Sequence, residues 1–170
     1  MPTIVLVGVP GAGKTTVGKL LAKELAVEFF DSDQVIEARA GKSVSDIFTQ
    51  DGEPVFRQLE HDTIVELLDS DNVVLALGGG SLGNDDTRAK VKDATAVWLV
   101  ASLAQAVDRV GMNRNRPLLL GNVRGQLADL MAAREPLYKE VATIAVDTSK
   151  LIPSEVVAEI VSELKKSDAS

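Results

Sequence analysis

Eight residues near the start of the chain have the types and spacing of a phosphate-binding loop. Residues 8–15 read Gly-Val-Pro-Gly-Ala-Gly-Lys-Thr and fit the pattern G-x-x-x-x-G-K-[ST] at every fixed position. Glycines let backbone N–H groups approach a phosphate closely. The lysine can reach the β- and γ-phosphates of a nucleotide, and the hydroxyl after it can bind Mg²⁺. The residues predicted to contact the nucleotide here are Gly11, Ala12, Gly13, Lys14, Thr15 and Thr16.

The residues on either side of this loop support the same interpretation. Residues 3–7 are a short apolar, β-branched run that predicts a buried strand, and residues 17–25 carry apolar side chains on one helical face. A strand, a glycine loop and a helix in succession are the context in which this motif binds phosphate at a helix N-terminus. The alternative is a plain glycine turn that joins a strand to a helix.

Two carboxylates follow the second predicted strand, at 27–30. Asp31 and Asp33 would lie at the carboxyl edge of the sheet, where open α/β sheets bind ligands. Two carboxylates at this spacing can serve one metal ion and one hydroxyl group. The alternative is a turn followed by a helix N-cap, which Asp and Ser both favour.

An arginine and a glutamate lie three residues apart on the helix predicted at 53–68. Arg57 and Glu60 can pair on one helical face. One interpretation is an arginine held by the glutamate to bind a ligand carboxylate bidentately. The other is a surface ion pair that contributes little stability. His61 is the only histidine, which excludes a histidine metal cluster, and we expect it to be exposed or half-buried.

Three consecutive glycines, Gly78–Gly80, directly follow the third predicted strand. They are unfavourable in backbone entropy unless something must approach the chain closely. They therefore predict a ligand on the backbone N–H groups, with a plain loop as the alternative.

Residues 111–122 are bounded by glycines and contain Arg114 and Arg116. This composition suits a mobile lid that brings cations over phosphates, with an ordinary surface connection as the alternative.

The order of the predicted elements indicates an α/β fold with a mainly parallel sheet. The predicted strands are 3–7, 27–30, 73–77, 95–100 and 142–147. The predicted helices are near 14–25, 33–40, 43–50, 53–68, 84–92, 102–110, 123–133 and 153–166.

The composition narrows the classes of protein. The chain has 170 residues, 45% hydrophobic and 25% charged, which suits one globular domain. Its net charge of −7 argues against nucleic acid as the main partner. It has no cysteine, no charged-then-apolar leader and no apolar run long enough to cross a membrane. We therefore expect a cytoplasmic protein, and a monomer because no exposed apolar face stands out.

Taken together, the motifs resemble those of the shikimate kinases over essentially the whole chain. The matching motifs are Gly-x-x-Gly-x-Gly-Lys-Thr at 8–15, Asp31-Ser32-Asp33, Asp46-Ile47-Phe48, Phe56-Arg57-x-x-Glu60, Gly78-Gly79-Gly80, Arg116-Pro117-Leu118 and Arg134-x-Pro136-Leu137-Tyr138. The phosphate loop and Asp-x-Asp also occur in other small-molecule kinases. The joint occurrence of the remaining motifs in this order is much more specific.

The resemblance implies a three-layer α/β/α P-loop kinase fold with a five-stranded parallel sheet flanked by helices and a mobile lid. It implies a single domain, 1–170. Its parts are a core (1–32, 69–110 and 123–166), a substrate-binding segment at about 33–68 and a lid at about 111–122. The implied reaction is Mg²⁺-dependent transfer of the ATP γ-phosphate to the 3-hydroxyl of shikimate, on the route to chorismate and the aromatic amino acids.

The resemblance also implies roles at the phosphoryl-transfer site. Lys14 and Arg116 would stabilise the transferring phosphoryl group. Thr15 would bind Mg²⁺ directly and Asp31 would hold it through water. Asp33 would bind the shikimate hydroxyls and orient, or deprotonate, the attacking one.

Further implied roles concern the two substrates. Arg57 and Arg134 would grip the shikimate carboxylate, and Arg109 and Pro153 would flank the adenine. The implied shikimate-binding residues are Asp33, Phe48, Phe56, Arg57, Glu60, Gly78, Gly79, Gly80, Pro117 and Arg134. Many relatives have a basic residue near the adenine just before the final helix, whereas here Lys150 is followed by Leu151 and Ile152. The resemblance therefore does not extend to a cationic contact with ATP from this segment.

Two alternatives compete with this interpretation. The nearest is another kinase of the same fold, acting on gluconate or a nucleoside monophosphate. The other is a nucleotide-dependent switch without an acceptor substrate, although the Asn-Lys-x-Asp pattern that such switches use for guanine is absent. Mn²⁺ uses oxygen ligands similar to those of Mg²⁺.

Overall fold

Five short apolar strands form the centre of the structure. The computed structural model of the protein describes residues 3–111 and 123–169. The strands are β1 (Ile4–Val7), β2 (Glu28–Asp31), β3 (Val73–Ala76), β4 (Thr95–Val100) and β5 (Ile144–Asp147). They pair in parallel in the order β2-β3-β1-β4-β5. Each residue of β1 and β3 is buried, as expected of strands covered on both faces.

Helices connect successive strands. Within the described ranges they are α1 (Lys14–Leu25), α2 (Ser32–Ala40), α3 (Val44–Asp51), α4 (Glu53–Leu68), α5 (Asp85–Lys92), α6 (Leu103–Gly111), α7 (Val123–Val141) and α8 (Pro153–Ala169). A short 3₁₀ turn, Ser81–Gly83, follows the three glycines. The predicted three-layer α/β fold with a five-stranded parallel sheet is confirmed.

The segments that directly follow β1, β2 and β3 carry the predicted site motifs. The ends of β1, β2 and β3 lie side by side, because Leu6 pairs with Ala76 and Asp31 also pairs with Ala76. The phosphate loop, the two carboxylates and the three glycines follow these strand ends directly. The parallel sheet thereby brings the three motifs to one edge.

Helix α7 is longer than the sequence predicts. The sequence predicts a helix over 123–133, followed by Pro136, which cannot donate a helical hydrogen bond. The helix instead continues through Pro136 to Val141. Tyr138 and Val141 are 2% and 3% exposed, so burial of the last turns outweighs the unfavourable proline. Arg134 consequently lies inside the helix rather than at its end.

Helices α2, α3 and α4 have a small apolar core of their own. Ile36, Ile47 and Phe56 are buried together, and Val44 and Phe48 pack against them. This cluster belongs to the segment 33–68 that was predicted to bind the substrate. The predicted lid at 111–122, with Arg116 and Pro117, lies outside the described residues apart from Gly111. No helix in the described ranges is long and apolar enough to cross a membrane.

Candidate active site

The phosphate loop has the backbone conformation that its glycines permit. Gly11 and Gly13 have φ of +85° and +93°, in the left-handed region that other residues rarely adopt. Lys14 Nζ donates to the carbonyls of Gly8 (2.6 Å) and Val9 (3.1 Å). Helix α1 begins at Lys14, and no side chain caps its N-terminus. N–H groups left uncapped at a helix N-terminus suit an anion.

Two cavities open on this loop. The first has a volume of about 290 Å³, and its lining includes Lys14, Thr15, Asp31 and Asp33. The second, of about 190 Å³, lies on the other side of Arg109. The residues that line the second cavity are Ala12, Gly13, Thr16, Val17, Arg109, Thr148, Leu151, Pro153 and Val156.

The second cavity brings together the two residues predicted to flank an adenine. Arg109 and Pro153 both line it, and Arg109 Nη1 donates to the Gly11 carbonyl at 2.8 Å. Leu151 also lines the cavity, whereas Lys150 is exposed to solvent and is not part of the lining. The segment before α8 therefore contributes an apolar residue, and not Lys150, to the lining of the second cavity.

Asp31 joins the phosphate loop to helix α2. Its Oδ1 accepts hydrogen bonds from the backbone N–H groups of Asp33 (2.9 Å) and Gln34 (3.2 Å), so it is the N-cap of the helix. Its Oδ2 accepts a hydrogen bond from the Thr15 hydroxyl at 3.2 Å. Asp31 therefore caps the helix, as one interpretation predicts, and also contacts the phosphate loop through Thr15.

Asp33 is half-buried, and its Oδ1 atom is buried. Its Oδ1 has no hydrogen-bond partner among the residues that the structure describes. Burial, helped by the charge of Asp31, raises the pKa of Asp33 to about 6, although Lys14 opposes the shift. A carboxylate oxygen buried without a donor is unfavourable unless a ligand supplies one. Asp33 therefore suits a hydroxyl donor placed in the first cavity.

The raised pKa of Asp33 predicts a pH-dependent stability. Charged groups around it are Asp31, Lys14, Glu37 and Arg57. Because the folded state binds this proton more tightly, the stabilising contribution is full below about pH 4 and is lost as the pH rises through about 6. Above about pH 6, this shift lowers the free energy of unfolding by on the order of 2–3 kcal/mol relative to its value below about pH 4. Asp33→Asn should therefore raise the thermal midpoint by several degrees at pH 7.5.

That gain in thermal midpoint should shrink towards pH 4, where Asp33 is protonated in the folded protein. Thermal unfolding of both proteins at several pH values between 4 and 8 checks this expectation. Asp62→Asn is the control, because Asp62 is exposed and its carboxylate accepts a hydrogen bond from Gln58 on its own helix. A midpoint difference that is the same at pH 4 and pH 7.5 would contradict the account of Asp33.

Arg57 is held by a buried glutamate and lies over two aromatic rings. Its Nη1 donates to Glu60 Oε1 at 2.9 Å, and Glu60 is only 3% exposed. Burial raises the pKa of Glu60, and the hydrogen bond from Arg57 opposes that shift. The guanidinium lies 5.7 Å and 5.3 Å from the ring centroids of Phe48 and Phe56. A buried partner and two stacked rings distinguish this pair from an ordinary surface ion pair.

Each of the three glycines after β3 lies against a different charged side chain. A β-carbon on Gly78 would lie 2.7 Å from Asp33 Oδ1. One on Gly79 would lie 2.7 Å from Arg134 Nη1, and one on Gly80 2.7 Å from Arg57 Nη2. The backbone of Gly80 is not strained, with φ of −101°. Space for Asp33, Arg134 and Arg57 is therefore a structural reason for the triplet.

Substitution of the middle glycine should displace an arginine without unfolding the protein. In Gly79→Ala the methyl group meets the flexible end of Arg134, which moves away. We expect the Km for a carboxylate acceptor to rise about tenfold, which corresponds to a loss of roughly 1.4 kcal/mol of binding free energy from the arginine contact. The Km for ATP should stay unchanged. Steady-state kinetics test this.

Gly83→Ala provides the matched control, because a β-carbon there meets nothing within 4 Å. Its Km values should equal those of the unsubstituted protein. If Gly79→Ala behaved like Gly83→Ala, Arg134 would not need the space that the glycine leaves.

Sequence reasoning assigned no role to three further residues near the glycines. The Tyr138 hydroxyl lies 3.4 Å from the Gly79 carbonyl, and Ser32 and Ser81 are buried against Gly78. Tyr138 lies one helical turn after Arg134, so a prediction of α7 through Pro136 would have placed both on one face. For the two serines the sequence carries no signal beyond their neighbours.

The structure brings most of the predicted site residues to one region. Those lining the two cavities, packed around the three glycines or in contact with Arg57 are Gly11, Ala12, Gly13, Lys14, Thr15, Thr16, Asp31, Asp33, Phe48, Phe56, Arg57, Glu60, Gly78, Gly79, Gly80, Arg109, Arg134 and Pro153. Arg116 and Pro117 lie outside the described residues. The strand order and the phosphate loop between β1 and α1 define a P-loop kinase fold of the nucleoside-monophosphate-kinase-like type.

Comparison with known proteins specifies the family. The family model for shikimate kinase matches residues 10–165. A shikimate kinase of Thermobifida fusca is 49% identical over 163 residues, 96% of this chain and 95% of that protein. One of Mycobacterium bovis is 46% identical over 165 residues, covering 96% and 94% of the two chains.

A solved structure agrees with the sequence relatives. The shikimate kinase from Acinetobacter baumannii in complex with shikimate superposes with a TM-score of 0.94 at 36% identity, covering 100% of this chain and 96% of that one. The chain belongs to the shikimate kinase family.

Proposed function

We propose that this chain transfers the γ-phosphate of ATP to the 3-hydroxyl of shikimate, giving shikimate 3-phosphate and ADP. The observation that carries this proposal is the set of charges at the three glycines. One carboxylate, Asp33, and two arginines, Arg57 and Arg134, meet there beside the phosphate loop. A small acceptor with a carboxylate at one end and hydroxyls at the other matches this set.

The acceptor is bound at both of its ends. Arg57 and Arg134 bind the shikimate carboxylate, and Glu60 keeps Arg57 in place through the 2.9 Å hydrogen bond. Backbone N–H groups of Gly79 and Gly80 bind the substrate from the sheet edge. The remaining substrate contacts are Gly78 and the ring walls of Phe48, Phe56 and Pro117.

Phosphoryl transfer depends on position and charge more than on covalent chemistry. Asp33 accepts a hydrogen bond from the attacking 3-hydroxyl, orients it towards the γ-phosphate and takes up its proton as the oxygen attacks. Lys14 and Arg116 stabilise the charge of the transferring group. The loop from Gly11 to Thr16 holds the nucleotide phosphates.

The adenine occupies the second cavity. Arg109 and Pro153 lie on opposite sides of the base, with Leu151 on the apolar wall. Because Arg109 also binds the Gly11 carbonyl, the base cavity and the phosphate loop share one side chain. Residues 111–122 act as a lid that closes over the phosphates and excludes water.

The residues present fit Mg²⁺. The Thr15 hydroxyl and the Asp31 carboxylate, 3.2 Å apart, both line the first cavity, and Thr15 would ligate the ion while Asp31 holds it through water. No cluster of three or more His, Cys, Asp or Glu side chains suited to a metal occurs in residues 3–111 and 123–169. Few protein ligands suit Mg²⁺, which keeps several waters and binds substrate phosphates. When bound, Mg²⁺ neutralises charge on the β- and γ-phosphates.

We also propose that the enzyme is cytoplasmic and works as a monomer. A chain without cysteine is compatible with a reducing compartment. Its product lies on the route to chorismate and the aromatic amino acids.

Product analysis tests the proposed reaction. The protein is incubated with ATP, Mg²⁺ and shikimate, and the product is examined by two-dimensional ¹H–³¹P NMR. The proposal expects one monoester whose phosphorus couples to the ring proton on C3. Coupling to the proton on C4 or C5, or no ester, would contradict it.

A further inference from the structure

The peptide groups around Gly78 are bound on both sides by buried serine side chains. The Gly78 N–H donates to Ser32 Oγ at 3.0 Å. The Gly78 carbonyl accepts from Ser81 Oγ at 2.8 Å and from the Ser81 backbone N–H at 3.2 Å. Ser32 and Ser81 are 0% and 1% exposed. The start of the glycine triplet is thus fixed by hydrogen bonds to two buried hydroxyl groups.

Ser32 replaces a backbone acceptor that the sheet cannot supply. The pairing of β2 with β3 ends at Asp31 and Ala76. Leu77 donates to Leu6 on the other side, which leaves the Gly78 N–H to find an acceptor on the β2 side. Because the chain turns into helix α2 at Ser32, only a side chain can supply it there.

The same serine is the residue before Asp33. Asp33 Oδ1 lies over Gly78, 2.7 Å from where a β-carbon would be. Ser32 therefore sets the separation between the carboxylate and the glycine backbone. Gly79 and Gly80 are the next two residues in the chain, so the positions of their N–H groups depend on the same hydrogen bond.

We infer that Ser32 is a positioning residue for the acceptor, which it serves by holding the glycine triplet at a fixed distance from Asp33, with Ser81 as a secondary support. This inference rests on the proposed function, because the acceptor hydroxyl and carboxylate are what Asp33 and the triplet bind together. Ser32 itself does not contact the substrate.

The two serines should contribute unequally. Without the Ser32 hydroxyl, the Gly78 N–H loses the acceptor that fixes it, and we expect the triplet to shift. Without the Ser81 hydroxyl, the Gly78 carbonyl keeps the Ser81 backbone N–H. Loss of Ser32 should therefore affect the acceptor far more than loss of Ser81.

The experiment compares Ser32→Ala and Ser81→Ala with the unsubstituted protein in steady-state kinetics and in calorimetric titration with shikimate. We expect Ser32→Ala to lower kcat/Km for shikimate about 30- to 100-fold, because a shift of about 1 Å at reacting groups has effects of this size. The Km for ATP should change less than about twofold, and Ser81→Ala should show only about a threefold effect on shikimate.

Thr87→Val is the matched control. Thr87 is a buried hydroxyl, 1% exposed, that pairs with His61 Nδ1 at 2.7 Å between α4 and α5. Its loss should lower the thermal midpoint as a structural hydroxyl does, while the shikimate Km stays within about twofold. A purely structural role for Ser32 would give the same pattern as Thr87→Val.

A folded Ser32→Ala protein with unchanged shikimate kinetics and affinity would overturn the inference. Should that variant fail to fold, Ser32→Cys keeps a similar shape with a weaker acceptor, and unchanged shikimate affinity there would overturn it equally. If instead the unsubstituted protein showed no shikimate-dependent ADP formation, the proposed function would fail first, before any variant is compared.

Discussion

Asp33→Asn should lose most of its turnover while it continues to bind ATP. The substitution keeps the shape of the side chain but removes the negative charge that, in the proposed reaction, orients the 3-hydroxyl and accepts its proton. Positioned general bases contribute rate factors of about 10²–10⁴, and we expect kcat to fall within that range. Asp33 belongs neither to the phosphate loop nor to the lining of the second cavity, so nucleotide affinity should change little.

Single-turnover kinetics with shikimate and calorimetric titration with ADP measure the two parts separately. Asp62→Asn, an exposed aspartate on α4, should match the unsubstituted protein in both. The Asp33 variant should also be the more stable protein above pH 6, because it no longer buries an ionised carboxylate. Turnover close to normal in this variant would refute the role of Asp33 in the transfer.

Arg57→Ala should raise the Km for shikimate about 10- to 100-fold, because hydrogen bonds to charged groups contribute roughly 1.5–3 kcal/mol. The guanidinium is already fixed by Glu60 and stacked over Phe56, so binding the acceptor carboxylate requires little further ordering. The Km for ATP should change by less than about threefold, because the nucleotide binds on other residues.

Two companion variants separate substrate binding from folding. Arg57→Ala leaves Glu60 buried without its cation, so the double variant Arg57→Ala/Glu60→Gln should recover stability without recovering shikimate affinity. Arg39→Ala removes an exposed arginine paired with Glu66 and should change neither Km. Equal increases in the Km values for shikimate and ATP in Arg57→Ala would show that Arg57 is not a substrate clamp.

The sequence predicts most of the fold because local patterns and their order agree. The observed strands differ from the predicted ones by at most two residues at either end, and the parallel sheet follows from their alternation with helices. The phosphate loop needed no tertiary information, because all its fixed positions are consecutive. The pairing of Arg57 with Glu60 was also accessible, since both lie on one face of a single helix.

Features that depend on distant contacts were not predictable in this way. Helix α7 continues past Pro136 because Tyr138 and Val141 are buried by the sheet and its neighbours, which local propensity does not reveal. The contact of Ser32 with Gly78 joins residues 46 positions apart. The glycine triplet was predictable only in part. Its composition predicts that some group approaches its backbone closely, but only the fold shows that Asp33, Arg134 and Arg57 are its neighbours.

The measurement that tests the central claim most directly is ADP formation from ATP and Mg²⁺ with a panel of acceptors. Shikimate is compared with gluconate, cytidine monophosphate and adenosine monophosphate at equal concentration, with a reaction without acceptor as the baseline. The account predicts strong stimulation by shikimate alone. Stimulation by gluconate or a nucleotide instead would mean that the acceptor site at Asp33, Arg57 and Arg134 had been misassigned. Slow ADP formation that no acceptor increases would point to a nucleotide-dependent switch.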